Sequence, residues 1–340
     1  SHPREGMTAP TRFTGRLATA FGKPVVGGLS RRIVDNLYNP GTPIWDRGDW
    51  DVLLILDACR VDLMYGLADH PVIGGSDNIG THWSPASKSS DWLRRTFTNE
   101  HRKEIERTAY ITGNPFTAGA EQGDESAVLQ EAQRHGRERL TRTNIKRTGR
   151  PNLAVEPRVL DEVWKYGWDE KIHTVPARPL TDAAIRTWRN RSSDVDRMIV
   201  HYMQPHVPFV MRTELGDYGD PSDFGTGIES LWNEAGETVP LDTVWQAYRG
   251  NLEYVLDDVE LLLENIDAET VVITADHGNA VGEWGQWGHP WDVLLPCIRR
   301  VPWVETTATR SGEYRPPAYE QSGEGVEPDV SDRLDALGYR

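Results

Sequence analysis

The sequence predicts an α/β domain in which helices cover both faces of a central, mostly parallel sheet. Three observations lead to this fold class. Short, nearly unbroken apolar segments at 51–57, 197–203 and 270–275 are typical of strands that are buried on both faces. Segments with helical apolar spacing lie between these strands, and such alternation favours parallel pairing. A chain of 340 residues is long enough to form one large domain of this class.

The predicted elements follow from local periodicity and composition. Apolar side chains at helical spacing mark a long amphipathic helix from Val244 to Leu263, directly before the strand at 270–275. Gly, Ser, Thr and Asn dominate residues 74–91, which indicates a functional loop, and residues 212–240 lack periodicity, which indicates a long excursion. The remaining predicted elements are a helix at 61–70, a helix starting at Asp91, a strand at 108–112, a helix at 125–141, and helices at Leu160–Trp164 and Leu180–Trp188.

The chain divides into three predicted parts. Residues 1–45 form a basic N-terminal arm, residues 46–306 form the catalytic domain with a polar insertion near 118–150, and residues 307–340 form a polar tail. Within the arm, apolar side chains recur at helical spacing among six basic residues. Two interpretations stay open: a flexible or packed arm, and a weak contact between the arm and an anionic membrane surface.

Composition limits the classes of function. The formal net charge is −15, from 52 acidic against 37 basic residues, and only six of the basic residues are lysine. An acidic, lysine-poor surface is typical of proteins that work at high salt, with an ordinary acidic cytosolic protein as the alternative, and the charge argues against general nucleic-acid binding. The two cysteines form no disulfide framework, and we find neither a membrane-span-length apolar segment nor a secretory signal. Cytoplasm is therefore the expected compartment, with a peripheral membrane contact through the arm as the variant.

Metal-ligating side chains follow three of the predicted strands. Asp57 ends the first, His206 lies just past the second, and Asp276 and His277 end the third. His289 follows His277 by twelve residues, across a segment with four glycines that can fold back. Open parallel sheets bind ligands at the carboxyl ends of their strands, and carboxylate with imidazole is a natural ligand set for zinc or manganese. The sequence therefore predicts a divalent metal site at this edge.

A nucleophile is expected in the serine-rich loop before the helix at Asp91. Four serines qualify, and a serine near a metal ion and a helix N-terminus can attack as an alkoxide. Any one of them can equally be an ordinary loop residue or a helix cap. The four are Ser84, Ser87, Ser89 and Ser90.

These motifs resemble the alkaline phosphatase superfamily, in particular its sulfatase-like and phosphoethanolamine-transferase-like branch. The matching segments are Leu54–Asp57, the serine loop, Gln204–Phe209 and Asp276–His289, so the resemblance extends over most of the chain. The resemblance implies a three-layer sandwich fold. It also implies one or two divalent ions, zinc or manganese with calcium as an alternative, and a phosphate or sulfate ester substrate.

The same resemblance assigns roles to single residues. Asp57, Asp276 and His277 match the ligands of one metal, with Ser89 as the best match for the nucleophile and a further ligand. His206 and His289 match a second metal site or contacts to the substrate anion. The Cys-x-Pro-Ser-Arg signature of sulfatases is absent, so we predict an unmodified serine. His201 is interpreted as a packed strand residue.

The predicted activity is hydrolysis or transfer of a phosphate or sulfate ester through Ser89, and the residues do not choose between these. Trp284, Trp287 and Trp291 surround His289 and suggest either a glycan- or lipid-linked substrate or simple loop anchors. Arg60 and Glu283 are further candidates for steadying the site. One alternative is a degenerate relative that binds an anionic glycan or a protein without turnover. Another is a mutase-type relative with residues 118–150 as its cap.

Overall fold

The computed structural model describes residues 39–118, 153–210, 235–236, 239–291, 293–317 and 330–337. The predicted basic arm up to residue 38, the insertion with its helix at 125–141, and most of the excursion at 212–240 lie outside these residues. The described part contains the whole sheet that the sequence predicts.

A seven-stranded sheet forms the centre of the domain. Its strands are β1 Val52–Leu56, β2 Ile79–Trp83, β3 Thr108–Thr112, β4 Val159–Glu162, β5 Arg197–Tyr202, β6 Ala268–Thr274 and β9 Arg300–Ala308; β7 Ala280–Val281 and β8 Trp287–Gly288 form a separate two-stranded sheet. The strand order in the large sheet is β2-β9-β6-β1-β5-β3-β4. β9 is antiparallel to both of its neighbours, and the other neighbouring strands pair in parallel. The predicted fold class, a mostly parallel sheet between helices, is confirmed.

β1 lies in the middle of the sheet, and both of its faces are covered. All five of its side chains are fully buried. Val52, Leu54 and Leu56 belong to the larger hydrophobic core, whereas Leu53 and Ile55 belong to a second core on the opposite face. This two-sided burial explains the unbroken apolar sequence of the strand.

Helices cover both faces of the sheet. They are α1 Val61–Tyr65, α2 Ser89–Thr96, α3 Arg102–Ile105, α4 Ala177–Asn190, α5 Leu241–Leu263, α6 Pro296–Arg299 and α7 Val330–Ala336. α1, α4 and α5 supply buried side chains to the larger core, and α2 and α3 supply them to the second core. None of the helices among the described residues is long and apolar enough to cross a membrane.

Three elements differ in kind from the sequence prediction, and the helix predicted at 61–70 ends at Tyr65. The helix predicted at Leu160–Trp164 is wrong: β4 pairs in parallel with β3 there, and a single 3-10 turn follows at Val163–Lys165. Pairing with a neighbouring strand outweighs the local preference of so short a segment. β2 and β9 were not predicted, and β9 carries the sheet to Ala308, two residues past the predicted domain boundary at 306.

The parallel strands bring several chain segments to one edge of the sheet. β1 ends just before Asp57, β6 ends just before Ala275 and Asp276, and β3 ends just before Gly113 and Asn114. Asp57, Asp276 and Asn114 therefore lie at the carboxyl edge of the sheet, where open α/β sheets bind their ligands.

Candidate active site

Asp57, Asp276 and His277 form a buried cluster at the carboxyl edge of the sheet, and none of the three has exposed surface. The Nε2 atom of His277 lies 3.4 Å from Oδ2 of Asp276 and 3.7 Å from Oδ1 of Asp57. One ligand atom from each residue falls within 4.8 Å of the others. Two buried carboxylates this close need a compensating positive charge, which a divalent ion provides.

Hydrogen bonds around the cluster leave ligand atoms turned inward. Nδ1 of His277 donates to the carbonyl oxygen of Gly278 at 2.8 Å, so the lone pair of Nε2 points toward the carboxylates. Oδ1 of Asp276 accepts from the backbone N–H groups of His277 and Ala58 at 2.9 and 3.2 Å. Oδ2 of Asp276 is buried with no hydrogen-bond partner among the described residues. The residues therefore fit a cation.

Two local backbone features hold this arrangement. Ala58 has a φ of 61°, a left-handed conformation that turns its N–H toward Asp276 directly after β1. Gly278 lies against the backbone of Cys297, where an added Cβ would clash with the carbonyl oxygen. The glycine after His277 is therefore required by close packing.

Ser89 is the serine that the structure brings to the cluster. It is the first residue of α2, it is fully buried, and its Oγ lies 3.3 Å from both Oδ2 of Asp57 and Nε2 of His277. The Oγ of Ser84 donates to the backbone carbonyl of Asp276, and that of Ser87 donates to the carbonyl of Pro290. The Oγ of Ser90 has no hydrogen-bond partner among the described residues. Ser89 alone of the four is in hydrogen-bonding range of the ligand side chains.

Asn114 is a site residue that sequence reasoning missed. Its Nδ2 donates to Oδ2 of Asp57 at 3.1 Å, and its Oδ1 accepts from the backbone N–H of Phe116 at 3.0 Å. The side chain is fully buried beside the cluster. The turn after the predicted strand at 108–112 contained the signal, because it places a polar residue at the same edge as Asp57 and Asp276.

His206 and His289 form a second group next to the first. Their Nε2 atoms are 2.9 Å apart, and the ring centroid of His289 lies 4.4 Å from that of His277. Nδ1 of His206 donates to the carbonyl of Val207 at 2.5 Å. The structure thus pairs His289 with His206, the two residues that the resemblance matches to a second metal site or to contacts with the substrate anion.

Burial sets the protonation of this second group. It lowers the pKa of His206, and it lowers the pKa of His289 well below the ordinary value, with the neighbouring histidines adding to the effect. Both rings are therefore neutral near pH 7, which is the form that binds a metal ion.

Asp57 is charged near pH 7, in contrast to the two neutral histidines. Burial alone would raise its pKa, but contact with His201 and the fields of His206 and His277 together lower it to about 2. The cluster therefore presents an ionised carboxylate at neutral pH. His201 packs edge-on against Trp92 with ring centroids 5.8 Å apart, as expected for a packed residue, yet its Nε2 also lies 3.6 Å from Oδ2 of Asp57.

Arg60 holds the loop that returns His289 to the site. Its guanidinium is buried, binds both carboxylate oxygens of Asp62, and contacts the carbonyl of Asn279 and Oε1 of Glu283, each at 2.7 Å. Oε2 of Glu283 accepts from the backbone N–H of Val281 at 2.6 Å. Arg60 and Glu283 therefore contact each other, and this ion pair fixes the loop between His277 and His289.

The tryptophans near His289 differ in their surroundings. Trp287 packs on Gly282, where an added Cβ would lie 3.1 Å from its ring, so Trp287 anchors the loop. Trp284 is 81% exposed and Trp291 is 40% exposed. The Lys88 ammonium lies 4.7 Å from the centroid of the Trp291 ring, next to Ser89 in sequence. An exposed aromatic and a cation therefore lie close to the nucleophile candidate.

Comparison with known proteins gives structural neighbours only. No family model matches the chain, and no curated protein matches its sequence. The structure is similar to the soluble domain of lipooligosaccharide phosphoethanolamine transferase A from Neisseria meningitidis, with 13% identity, a TM-score of 0.46, and coverage of 77% of this chain and 78% of that chain.

Two further neighbours are a lipoteichoic acid synthase and a sulfatase. The synthase, LtaP from Listeria monocytogenes, shows 12% identity, a TM-score of 0.38, and coverage of 85% of this chain and 72% of that chain. The sulfatase, described as putative, is from Bacteroides thetaiotaomicron and shows 11% identity, a TM-score of 0.39, and coverage of 79% of this chain and 64% of that chain. Sulfatases and phosphoethanolamine transferases, the kinds of protein that the sequence motifs resemble, are thus also among the structural neighbours.

Proposed function

We propose that the chain is a metal-dependent enzyme that hydrolyses or transfers a phosphate or sulfate ester through Ser89. The observation that supports it most directly is the position of one hydroxyl. Ser89 Oγ lies 3.3 Å from both Asp57 and His277, at a buried cluster whose atoms suit a divalent ion. A nucleophile beside ligands of this type is the arrangement that ester displacement at phosphorus or sulfur requires.

Asp57, Asp276 and His277 would hold the ion, with Ser89 as a further ligand. The ion, zinc or manganese by the nature of its ligands, supplies charge that lowers the pKa of the serine and stabilises the anionic oxygens. The protein itself orients the hydroxyl, which can donate to Oδ2 of Asp57. Asn114 fixes that same oxygen at 3.1 Å.

The reaction proceeds in two displacements. Ser89 gives up its hydroxyl proton as its Oγ forms a bond to phosphorus or sulfur; the bond from that atom to the ester oxygen breaks, and the leaving oxygen takes up one proton in exchange. A water molecule in hydrolysis, or an acceptor hydroxyl in transfer, then attacks the same atom; the bond to Ser89 Oγ breaks, and the proton that the attacking group loses restores the Ser89 hydroxyl. The neutral pair His206 and His289 lies next to His277, where it binds the anion, a second ion or the leaving group.

The rim of the site supports an anionic substrate carried on a larger molecule. Lys88 provides positive charge next to Ser89, and the exposed ring of Trp291 lies against it. Aromatic faces stack on sugar rings, and an ammonium group attracts anionic groups. We therefore propose a glycan- or lipid-linked ester as the substrate class, in a cytoplasmic protein.

A binding module without turnover is the second candidate. One observation favours it: Asp57, Ser89, Asp276 and His277 all show no exposed surface, although a substrate must reach them. Such a protein would bind an anionic glycan or a protein partner at the rim. Turnover measurements on metal-loaded protein separate the two candidates.

The test is a turnover panel of aryl phosphate, aryl phosphodiester and aryl sulfate with added zinc, manganese or calcium, together with metal analysis. We expect turnover of at least one ester and a bound ion in the unaltered protein. Asp276→Ala should lose both, because it removes one of two carboxylates from the cluster. Asp69→Ala, which alters an exposed aspartate, is the control and should lose neither. Bound metal without turnover of any ester would favour the binding module.

A further inference from the structure

His201 occupies a position that the proposed mechanism does not use. It is a β5 residue with no exposed surface, and its Nε2 lies 3.6 Å from Oδ2 of Asp57 and 3.8 Å from Oδ2 of Asp276. The matching distances from Nε2 of His277 to the same two carboxylates are 3.7 and 3.4 Å. The two imidazoles therefore approach the carboxylate pair in the same way.

The Nε2 atom of His201 has no hydrogen-bond partner within the described part of the chain, and neither has Oδ2 of Asp276. A buried polar atom without a partner costs about 1–3 kcal/mol, so two of them facing each other call for an explanation. Their separation of 3.8 Å is too long for a hydrogen bond. An ion between them would satisfy both.

The other ring nitrogen of His201 is held by Tyr110. The distance from Nδ1 to the Tyr110 hydroxyl is 2.8 Å, and burial keeps that hydroxyl protonated by raising the pKa of Tyr110. The phenol oxygen can accept from Nδ1–H, and in that tautomer the Nε2 lone pair faces the carboxylates.

We propose that His201 is a further ligand of the metal ion, through Nε2, and that Tyr110 positions it. The ion is then held by two imidazoles, two carboxylates and Ser89, with Asp57 and Asp276 between the two histidines. The carbonyl oxygen of Gly278 accepts the Nδ1–H of His277, and in the proposed tautomer the Tyr110 oxygen plays the equivalent part for His201. This assignment rests on the proposed metal site and adds a ligand to it.

The test is the affinity for Zn²⁺, measured by competition with a chelator on the full chain. Loss of an outer-shell partner costs about 10–100-fold in affinity, so loss of a direct ligand in His201→Gln should cost more than about 100-fold. The amide of glutamine can donate to the carboxylates but binds zinc weakly. His101→Gln changes another buried histidine, away from the cluster, and should leave the affinity unchanged.

A second variant and a Co²⁺ spectrum distinguish the loss of a metal ligand from a folding defect. Tyr110→Phe keeps the ring and removes only the acceptor, so we expect a loss of about tenfold in Zn²⁺ affinity. With Co²⁺ in place of zinc, His201→Gln should shift and strengthen the visible absorption, because the ion loses a ligand.

Three outcomes are decisive. Weakened binding in both variants, with a changed Co²⁺ spectrum, supports the assignment. Unaltered Zn²⁺ affinity in His201→Gln or in Tyr110→Phe overturns it while leaving the proposed function intact. Absence of Zn²⁺ and Co²⁺ binding by the unaltered protein overturns the proposed metal enzyme itself, and this assignment with it.

Discussion

Single side chains at the site differ in how far the sequence could identify them. Asp57, Asp276 and His277 follow apolar strands directly, so strand-end reasoning was sufficient to group them. Asn114 follows a strand too, but an asparagine in a Gly-Asn-Pro segment also fits an ordinary turn. His201 lies inside a strand, and only the pairing of β5 with β1 and β3 shows which residues its ring meets.

The serine loop shows the limit of sequence reasoning most clearly. Four serines within seven residues each suited a loop before a helix, and only the family resemblance favoured Ser89 among them. The structure distinguishes them by their partners: Ser84 and Ser87 bind backbone carbonyls, whereas Ser89 faces Asp57 and His277. This distinction depends on tertiary contacts that no local pattern contains.

Replacement of Ser89 should affect turnover much more than metal binding. Ser89→Ala should lower kcat by at least about 10⁴-fold toward whichever ester the protein turns over, since removal of a nucleophile has effects of this size. Metal affinity should fall far less, because Asp57, Asp276 and His277 remain. Ser90→Ala, the neighbouring buried serine, is the matched control and should keep most of the turnover. Equal loss in both variants would exclude Ser89 as the nucleophile.

At the scale of elements, segments with a clear apolar pattern were predictable, whereas β2 and β9 were not. The helix predicted from Val244 to Leu263 is α5, Leu241–Leu263, and the three apolar strands are β1, β5 and β6. β2 contains Gly80, Thr81 and His82 and has no strand-like alternation, so its sequence alone indicates a loop. Its pairing with β9 stabilises it, and such long-range pairing is invisible in local sequence.

The loop between His277 and His289 depends on Arg60. Arg60→Met removes a buried guanidinium and leaves Asp62, Glu283 and the Asn279 carbonyl without it, so unfolding should require about 1–3 kcal/mol less free energy. Turnover should also fall, because His289 loses the support of its loop. Arg102→Met removes an exposed pair with Glu106 and should cost less than about 1 kcal/mol. Denaturant unfolding of both variants checks this, and equal costs would contradict a structural role for Arg60.

His82, on β2, gives a pH prediction. Burial, assisted by Arg47, lowers its pKa from 6.5 to about 4. Between these values the unfolded chain binds a proton that the folded chain does not, so this group makes stability fall as the pH drops from 6.5 toward 4. The full shift in the pKa of His82 corresponds to at most about 3 kcal/mol of the free energy of unfolding.

Comparison with variants isolates this effect from the other titrating groups. His82→Asn should lose less stability than the unaltered protein between pH 7 and pH 4, as measured by denaturant unfolding at each pH. His173→Asn, which changes an exposed histidine with a φ of 52° that asparagine tolerates, should follow the unaltered protein. An identical pH dependence for His82→Asn would refute the argument.

For the whole molecule, the main result is the meeting of distant segments at one edge of the sheet. Asp57 and Asp276 are 219 positions apart in the chain, yet both lie within contact of His277 because β1 and β6 are parallel neighbours. The layered fold was predictable because apolar strands alternate with helices. The high-salt surface, the cytoplasmic location and the membrane contact of the N-terminal arm stay predictions.

Crystals of the unaltered protein grown with manganese or zinc, and examined by anomalous diffraction, test whether Asp57, Asp276 and His277 hold one ion. We predict an anomalous peak bounded by Oδ1 of Asp57, Oδ2 of Asp276 and Nε2 of His277, with Ser89 Oγ at coordinating distance. Metal-loaded protein that turns over an ester, but shows its ion elsewhere or none between these three side chains, would contradict the claim.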